Sequence, residues 1–306
     1  MGRAARQLDL SGVFATAVTP NRPGTLDADY SALMDLLDFL ADAHVSGVCV
    51  MGAAGEFLNY SFADRQRLVY LGTKRSRVPM IVGAAHSTLR GALQLACEAI
   101  SAGADGLLIM PPYFFPYGQR DIEEFFREFA AETGDAVPIM LHNAPQVTSP
   151  IEAATAKRLL DTGMFAGIDD ASGDWNYFAS LLDFRRERPF RLFAGHDRIA
   201  LRALRAGADG VFSDCAAAAP ELVVGMARAV ETAAEENADA WNARLEEFID
   251  WLERFPAPVA LKRAVELRRQ KAGDFAVPLD RERTREMEEF GDWFREWWPR
   301  AAAGRR

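Results

Sequence analysis

Eight short apolar segments, each followed by a stretch of helical periodicity, constrain the fold of this chain more than any other feature. The segments cover residues 13–18, 48–51, 80–82, 107–110, 139–141, 165–168, 192–194 and 211–212. They lie roughly 20–35 residues apart, and residues 30–43 show the helical pattern, with Leu33, Leu36 and Leu40 on one face. Strands that alternate with helices are typical of parallel β/α units. Eight such units in about 220 residues predict a closed (β/α)8 barrel, a TIM barrel.

The chain changes character after Pro220 and predicts a C-terminal helical extension. Residues 221–255, 258–270 and 281–298 have the pattern of long helices. We therefore predict a barrel over residues 1–220 and C-terminal helices over residues 221–306, packed together as a single structural unit. Within the barrel, the sequence Ala-Gly-Ala-Asp-Gly occurs at 102–106 and again at 206–210, where glycine is expected to end a helix before the next strand.

Composition and charge limit the classes of function. The net charge of −9 over 306 residues, with a pI near 5.1, argues against nucleic-acid binding. No apolar run is long enough to span a membrane, and the first residues lack the apolar core of a secretory signal, so we expect a cytoplasmic protein. Cys49, Cys97 and Cys215 are too few and too far apart for a disulfide framework or a zinc motif. A small-molecule ligand is therefore the expected partner.

Polar and ionisable residues follow the predicted strands. In a barrel of this kind these positions lie together at one end, where function is found. The residues are Thr19, Glu56, His86, His142, Asn143, Asp169, Asp170, His196, Asp197 and Asp214. Three of the four histidines belong to this set. Such a concentration of polar groups at one end of an apolar barrel is typical of a small-molecule site.

The motifs at these positions resemble those of the dihydrodipicolinate synthase / N-acetylneuraminate lyase family over residues 12–294. In order along the chain they are Thr19-Pro20, the Gly-x-x-Gly-Glu turn at 52–56, Pro112-Tyr113, Asn143 with Pro145, and Gly167-Ile168 with Ser172-Gly173. The resemblance implies Schiff-base chemistry, in which a lysine at the end of strand six attacks the keto group of pyruvate or a related 2-keto acid. A tyrosine after strand five transfers the proton, and hydroxyl residues in the strand-two turn hold the carboxylate. It also implies a homotetramer or homodimer without an organic cofactor.

This sequence departs from the family pattern at each of those places. Asp169 stands at the lysine position and His142 at the tyrosine position. Ala53 and Ala54 replace the two hydroxyl residues, and Phe114 replaces an aromatic that is tyrosine in the synthase. The four lysines of the chain, none of which follows a predicted strand, are Lys74, Lys157, Lys262 and Lys271. We therefore predict that the protein forms no Schiff base and is not a dihydrodipicolinate synthase.

Asp169 and His142 are the predicted catalytic residues. They belong to adjacent strands, so their side chains can meet as an acid–base pair, and histidine titrates near the working pH of most enzymes. The alternative for Asp169 is a paired polar residue that closes an inactive pocket. The alternative for His142 is a hydrogen-bonded histidine without a catalytic role. Asp170 is expected to be structural.

Six further residues are predicted to contact the ligand, namely Ala53, Ala54, Glu56, Phe114, His196 and Asp214. The backbone N–H groups of the two alanines would still serve a polar ligand atom, while Glu56 would mainly hold its turn in place. Phe114 would make the entrance apolar and suited to a larger ligand, or would pack between subunits. A divalent metal stays open as an alternative, because several histidines and aspartates meet at one end, although no HxH or HExxH motif is present.

Two classes of function follow from this pattern. The first is a lyase, hydratase or isomerase that acts on a small carbonyl or hydroxy-acid compound through acid–base chemistry of His142 and Asp169. The second is a catalytically silent homologue that serves as a ligand sensor or as a partner subunit. Retained ionisable groups favour the first, and the joint loss of the family's catalytic groups favours the second.

Overall fold

A computed structural model describes residues 10–303 and contains a closed barrel of eight parallel strands. Neighbouring strands pair in chain order, and β8 returns to pair with β1. The strands are β1 (Gly12–Thr16), β2 (Gly47–Val50), β3 (Met80–Gly83), β4 (Gly106–Ile109), β5 (Ile139–Asn143), β6 (Gly167–Asp170), β7 (Arg191–Ala194) and β8 (Gly210–Ser213). Each predicted apolar segment overlaps one of these strands, so the predicted (β/α)8 barrel is confirmed.

Helices alternate with the strands and cover the outside of the barrel. Several begin at side-chain caps: Asp29 accepts a hydrogen bond from the Ala32 N–H, and Thr88 accepts one from the Gly91 N–H. The first seven are α1 (Tyr30–Asp42), α2 (Phe62–Arg75), α3 (Leu89–Ala102), α4 (Gln119–Thr133), α5 (Ala153–Asp161), α6 (Trp175–Arg185) and α7 (Ala200–Arg205). Within residues 10–303, no helix is both long and apolar enough to cross a bilayer.

Apolar side chains fill the interior of the barrel. The Phe14 ring meets Phe193 edge-on, with ring centroids 5.7 Å apart, and stacks on Phe212 at 5.1 Å. Gly47 makes room for this cluster, since a Cβ atom there would come within 2.3 Å of the Phe14 ring. The barrel is therefore a packed core, and open space is found at the carboxyl ends of its strands.

The C-terminal region consists of four helices, and the first of them belongs to the barrel. Helix α8 (Pro220–Glu231) packs beside β1 as the eighth barrel helix, and the extension follows with α9 (Glu235–Leu252), α10 (Val259–Leu267) and α11 (Arg281–Ala302). The prediction of one continuous helix over residues 221–255 is wrong. The chain turns between α8 and α9 at Ala233, whose φ of 54° lies in the left-handed region.

An aromatic cluster fixes the last helix to the rest of the molecule. Phe294 of α11 lies 5.7 Å from Phe248 of α9, and Trp293 stacks on Trp297 at 4.7 Å between centroids. The indole N–H of Trp297 donates a hydrogen bond to Glu247 at 2.7 Å. These contacts hold α9 in position, and the segment that follows α9 therefore lies in a fixed place over the barrel.

Candidate active site

A cavity of about 450 Å³ lies at the carboxyl end of the barrel. Its floor is formed by strand residues, among them Cys49, Leu108 and Phe212. Its cover is the roof segment, residues 249–261, which joins the end of α9 to the start of α10. The cavity therefore lies between the barrel and the C-terminal extension and is open to solvent on one side. Its volume suits a small organic molecule.

His142 and Asp169 form a hydrogen-bonded pair in the wall of this cavity. They face each other in the register of β5 and β6, and His142 Nδ1 lies 2.8 Å from Asp169 Oδ2. Asp169 is only 1% exposed. Burial raises the pKa of the Asp169 carboxyl, while the hydrogen bond to His142 opposes this shift. The sequence placed these two residues on adjacent strands, and the structure brings their side chains into contact.

The pair can hold a proton in two arrangements. If Asp169 is ionised, His142 donates Nδ1–H to it, and Nε2 has a lone pair that can accept a proton. If Asp169 is protonated, its O–H donates to Nδ1, and Nε2 carries hydrogen that it can donate. In both arrangements Nε2 is the ring nitrogen left for a ligand. The geometry is therefore that of a general acid–base device.

The second oxygen of Asp169 has no hydrogen-bond partner among residues 10–303, although it is fully buried. It lies against Gly195, where a Cβ atom would come within 2.3 Å of Oδ1. Asp169 and Gly195 both line the cavity. Buried carboxylate oxygens are normally hydrogen-bonded, and one that is not is a feature that calls for a ligand or a function.

Two more aspartates line the same cavity. Asp214 accepts a hydrogen bond from the Thr16 hydroxyl, and Asp197 accepts bonds from the Ser213 hydroxyl and the Cys215 N–H. Burial, together with the charges of Asp197 and Asp169, raises the pKa of Asp214 to about 6. Three carboxyl groups therefore line one cavity, and their proximity disfavours ionisation of Asp169 and Asp214.

Asp170 has a structural role. Its Oδ1 accepts hydrogen bonds from the Asn143 amide at 2.8 Å and from the Ser172 N–H, and its Oδ2 accepts one from the Ser172 hydroxyl. Asn143 in turn accepts a bond from the Ile151 N–H at 3.0 Å. This network ties the ends of β5 and β6 together. It keeps His142 and Asp169 in register.

Of the six residues predicted to contact the ligand, three line the cavity and three do not. Ala53, His196 and Asp214 line the cavity, whereas Ala54, Glu56 and Phe114 are not among its lining residues. Ala54 is buried inside the strand-two turn. Phe114 is 86% exposed and packs edge-on against Phe115, because its position after β4 directs it outward. It is placed on the surface and does not form the cavity entrance.

Glu56 is turned away from the cavity toward the extension. Its Oε2 lies 3.0 Å from Lys262 Nζ, an electrostatic contact without good hydrogen-bond alignment. Lys262 is 1% exposed and donates a hydrogen bond to the Asp274 carbonyl at 2.8 Å. The pair therefore ties the strand-two turn to α10, in agreement with the expectation that Glu56 holds its turn in place.

No lysine and no arginine line the cavity in the described part of the chain. Lys74 is exposed on α2, Lys157 lies over the Phe184 ring on α5, and Lys262 is engaged as above. Cys49 and Cys215 do line the cavity, but burial raises the pKa of both thiols well above the ordinary value. Among the described residues that line the cavity there is therefore no side-chain amine, and burial disfavours the thiolate form of both cysteines.

His86 and the remaining candidate metal ligands do not form a cluster. The His86 ring bonds to Thr88 beside the start of α3 and does not line the cavity. Across residues 10–303, no group of three or more histidine, cysteine or carboxylate side chains is arranged to hold a metal ion.

Sequence reasoning missed the roof segment. Leu252, Glu253, Phe255 and Leu261 line the cavity, although they follow no strand. The sequence Phe-Pro-Ala-Pro at 255–258 signals a break between helices. Nothing in that signal shows that the break lies over the barrel, since its location depends on how α11 packs on α9.

A (β/α)8 barrel with a polar cavity at the carboxyl ends of its strands defines a class of proteins that bind small molecules, and many of them are enzymes. Comparison with known proteins narrows this class. The model of the dihydrodipicolinate synthetase family matches residues 9–294. The chain belongs to this family, as the resemblance in its motifs indicated.

The relatives of this chain include proteins named as lyases and as synthases. An uncharacterized DapA-like lyase of Chloroflexus aurantiacus is 34% identical over 265 residues, which cover 83% of this chain and 85% of the relative. A 4-hydroxy-tetrahydrodipicolinate synthase of Methanothrix thermoacetophila is 29% identical over 270 residues, or 88% of this chain and 90% of the relative. The crystal structure of dihydrodipicolinate synthase from Aquifex aeolicus superimposes with a TM-score of 0.86 at 23% identity, covering 94% of this chain and 98% of that one. The last comparison shows a common fold.

Proposed function

We propose that this protein is a lyase, hydratase or isomerase that acts on a small carbonyl or hydroxy compound without forming a Schiff base. The observation that carries the proposal is the pair of His142 and Asp169, joined at 2.8 Å in the wall of a cavity that no lysine of the described residues lines. In this proposal His142 Nε2 removes or returns a proton next to the carbonyl group, and Asp169 fixes the ring and compensates the charge that develops on it.

Family membership supports the class of reaction. The chain belongs to the dihydrodipicolinate synthetase family, and relatives named as lyases and synthases match it over most of its length. Such reactions need proton transfer at the carbon beside a carbonyl group, which an imine assists in the family's chemistry. With no amine in this cavity, the acid–base pair would have to perform proton transfer on the carbonyl compound itself.

Proton exchange provides a test that needs no identified substrate. Pyruvate, hydroxyacetone and 4-phenyl-2-butanone would be incubated with the protein in D2O, and deuterium uptake beside the carbonyl group would be followed by NMR. We expect the wild type to accelerate exchange of at least one of these compounds. Asp169→Asn and His142→Asn should lose the acceleration, by roughly 100-fold or more. Asp183→Asn, an exposed charge change on α6, should keep it.

Two results would contradict the proposal. Exchange that persists in both variants of the pair would remove their role in proton transfer. No acceleration of any compound by the wild type would favour the catalytically silent homologue. Borohydride treatment with pyruvate adds a separate criterion, because a trapped adduct seen by intact mass would show that an amine does react after all.

A further inference from the structure

The charges around the cavity are strongly unbalanced. Asp169, Asp197 and Asp214 line it, together with Glu253 from the roof segment. The lining residues of the described chain include no lysine or arginine. The only basic side chains among these lining residues are the imidazoles of His142 and His196.

Of the four carboxylates, Glu253 is compensated from outside the cavity. Arg198 donates to Glu253 Oε2 at 2.6 Å and to Asp250 Oδ1 at 2.7 Å. The three aspartates have no such ion pair with arginine or lysine within residues 10–303. The hydroxyl and amide groups that bond to Asp197 and Asp214 are neutral donors. Within the described chain, no ion pair with lysine or arginine therefore offsets these three aspartates in the cavity lining.

Asp169 Oδ1 adds an independent observation. It is fully buried and has no hydrogen-bond donor among the described residues, while Oδ2 is bonded to His142. Gly195 keeps the space beside it free of a side chain. Because Oδ1 has no accessible surface, the carboxyl group that a ligand reaches directly is that of Asp214, which lines the cavity and is exposed; a hydroxyl or amine hydrogen would bond to it, whereas a carboxylate ligand would present only acceptors.

The roof segment sets the nature of the rest of the ligand. Leu252, Phe255 and Leu261 face the cavity from above, and Leu108 and Phe212 lie on the floor. A ligand held here would have its polar end at the aspartates and an apolar body between these side chains.

From these observations we propose that the cavity selects a non-anionic ligand, with a hydrogen-bond donor at its polar end and an apolar body, and that it excludes carboxylates. The proposal rests on the proposed function in one respect, namely that this cavity is the substrate site. In this proposal the chain differs from an enzyme of 2-keto acids in the charge of its cavity as well as in the absence of a lysine nucleophile from that cavity. The aspartates of the lining repel a ligand of like charge at contact distance, so an anion should bind at least about tenfold more weakly than its neutral analogue.

Three probes of matched shape test this selection. 3-Phenylpropanoate, 3-phenylpropan-1-ol and 3-phenylpropan-1-amine differ near neutral pH only in carrying a negative, zero or positive charge at the polar end. Isothermal titration with the wild type should show binding of the alcohol, the amine or both, with the carboxylate at least about tenfold weaker than the better of them. The comparison of alcohol with amine shows which donor the site prefers.

Variants of the chain test whether this cavity is responsible for binding of the three probes. Ala53 is exposed and lines the cavity, so Ala53→Trp should fill it and abolish binding without disturbing the core. Asp214→Asn should narrow the difference between the carboxylate and the alcohol. Asp183→Asn changes an exposed charge on α6 and should leave all three affinities unchanged.

The proposal is overturned if the carboxylate binds as well as the alcohol and the amine, if none of the three binds, or if Ala53→Trp leaves binding intact. These titrations need no turnover. Charge selection that holds while proton exchange is absent would refute the proposed catalysis alone. Proton exchange on pyruvate with no charge selection would refute this inference alone.

Discussion

The Asp214 carboxyl lies in the wall of the cavity, exposed to its interior, and accepts a hydrogen bond from the Thr16 hydroxyl. Its pKa of about 6 in the fold exceeds the ordinary value of 3.8. A carboxyl with a raised pKa stabilises the fold fully below the ordinary value, and this contribution is lost as the pH rises through about 6. At pH 8 the ionised group therefore opposes folding.

Replacing Asp214 by asparagine should make the protein more stable at alkaline pH. Asparagine keeps an oxygen to accept the Thr16 hydroxyl and carries no charge near Asp197 and Asp169. We expect Asp214→Asn to raise the free energy of unfolding at pH 8 by about 1 kcal/mol or less, because solvent in the cavity screens this exposed carboxylate, and to change it little at pH 4. Thermal unfolding of the variant and the wild type, measured between pH 4 and pH 8, checks this expectation. A gain that is the same at every pH, or a loss at pH 8, would contradict it; Asp183→Asn is the exposed control.

Gly195 is a second residue on which the site depends. A Cβ there would come within 2.3 Å of Asp169 Oδ1. Gly195→Ala should therefore displace the carboxyl from His142, cost about 1–3 kcal/mol of stability and abolish proton exchange. Gly52→Ala is the matched control in the same cavity wall, since its Cβ would meet only Cys49 Sγ at 3.9 Å. Equal effects of the two substitutions on exchange would show that Gly195 has no special role.

At the scale of elements, the strand-two turn and α10 are joined by the buried pair of Glu56 and Lys262. Lys262→Met removes the cation and leaves Glu56 buried without its counter-charge. Breaking one side of a buried pair costs about 3–5 kcal/mol, so we expect a loss of that size in chemical denaturation. The double variant with Glu56→Gln should recover about 1–2 kcal/mol of this loss, because no buried charge is then left.

The exposed Lys74→Met on α2 serves as the control for this pair and should be nearly neutral. If Lys262→Met were as mild as Lys74→Met, the pair would not link the two elements. If Glu56→Gln lowered the stability of the Lys262→Met variant by as much as it lowers the stability of the wild type, the two residues would act independently.

The strands and the residues that follow them were predictable because parallel barrels impose a strict layout. Apolar runs such as residues 139–141 mark strands, and the polar residues after them must meet at one end. This rule brought His142, Asp169, His196 and Asp214 to one site from sequence alone. It did not bring Phe114 to the cavity lining, because a residue in the loop after a strand can turn outward; Phe114 is exposed, and its packing between subunits stays a prediction.

The C-terminal elements were less predictable. Helical periodicity continues through Ala233, where the chain turns, and alanine gives no signal for a left-handed φ. The contact of Lys262 with Glu56 joins residues from opposite ends of the sequence. The position of the roof segment likewise follows from packing between helices. None of these is a local property, and periodicity reports only local properties.

At the scale of the whole molecule, the cavity is lined by the barrel and by the extension together. Strand ends supply His142 and the aspartates, while the roof segment supplies the apolar cover. The roof segment is held by α9, and α9 is held by α11 through the aromatic cluster. A change in this cluster, far from the polar groups, should therefore affect both stability and ligand binding.

Phe294→Ala tests this dependence. Phe294 is 1% exposed and contacts Phe248, Trp297 and their neighbours, so its truncation should cost about 3–5 kcal/mol. If barrel and extension form one cooperative unit, as the sequence predicts, denaturation followed by circular dichroism and by tryptophan fluorescence should show one shared transition, moved to lower denaturant. Phe115→Ala, at a side chain 64% exposed, should change little. Two separate transitions in Phe294→Ala, with the fluorescence change first, would show that the extension unfolds alone and that the barrel does not need it to fold.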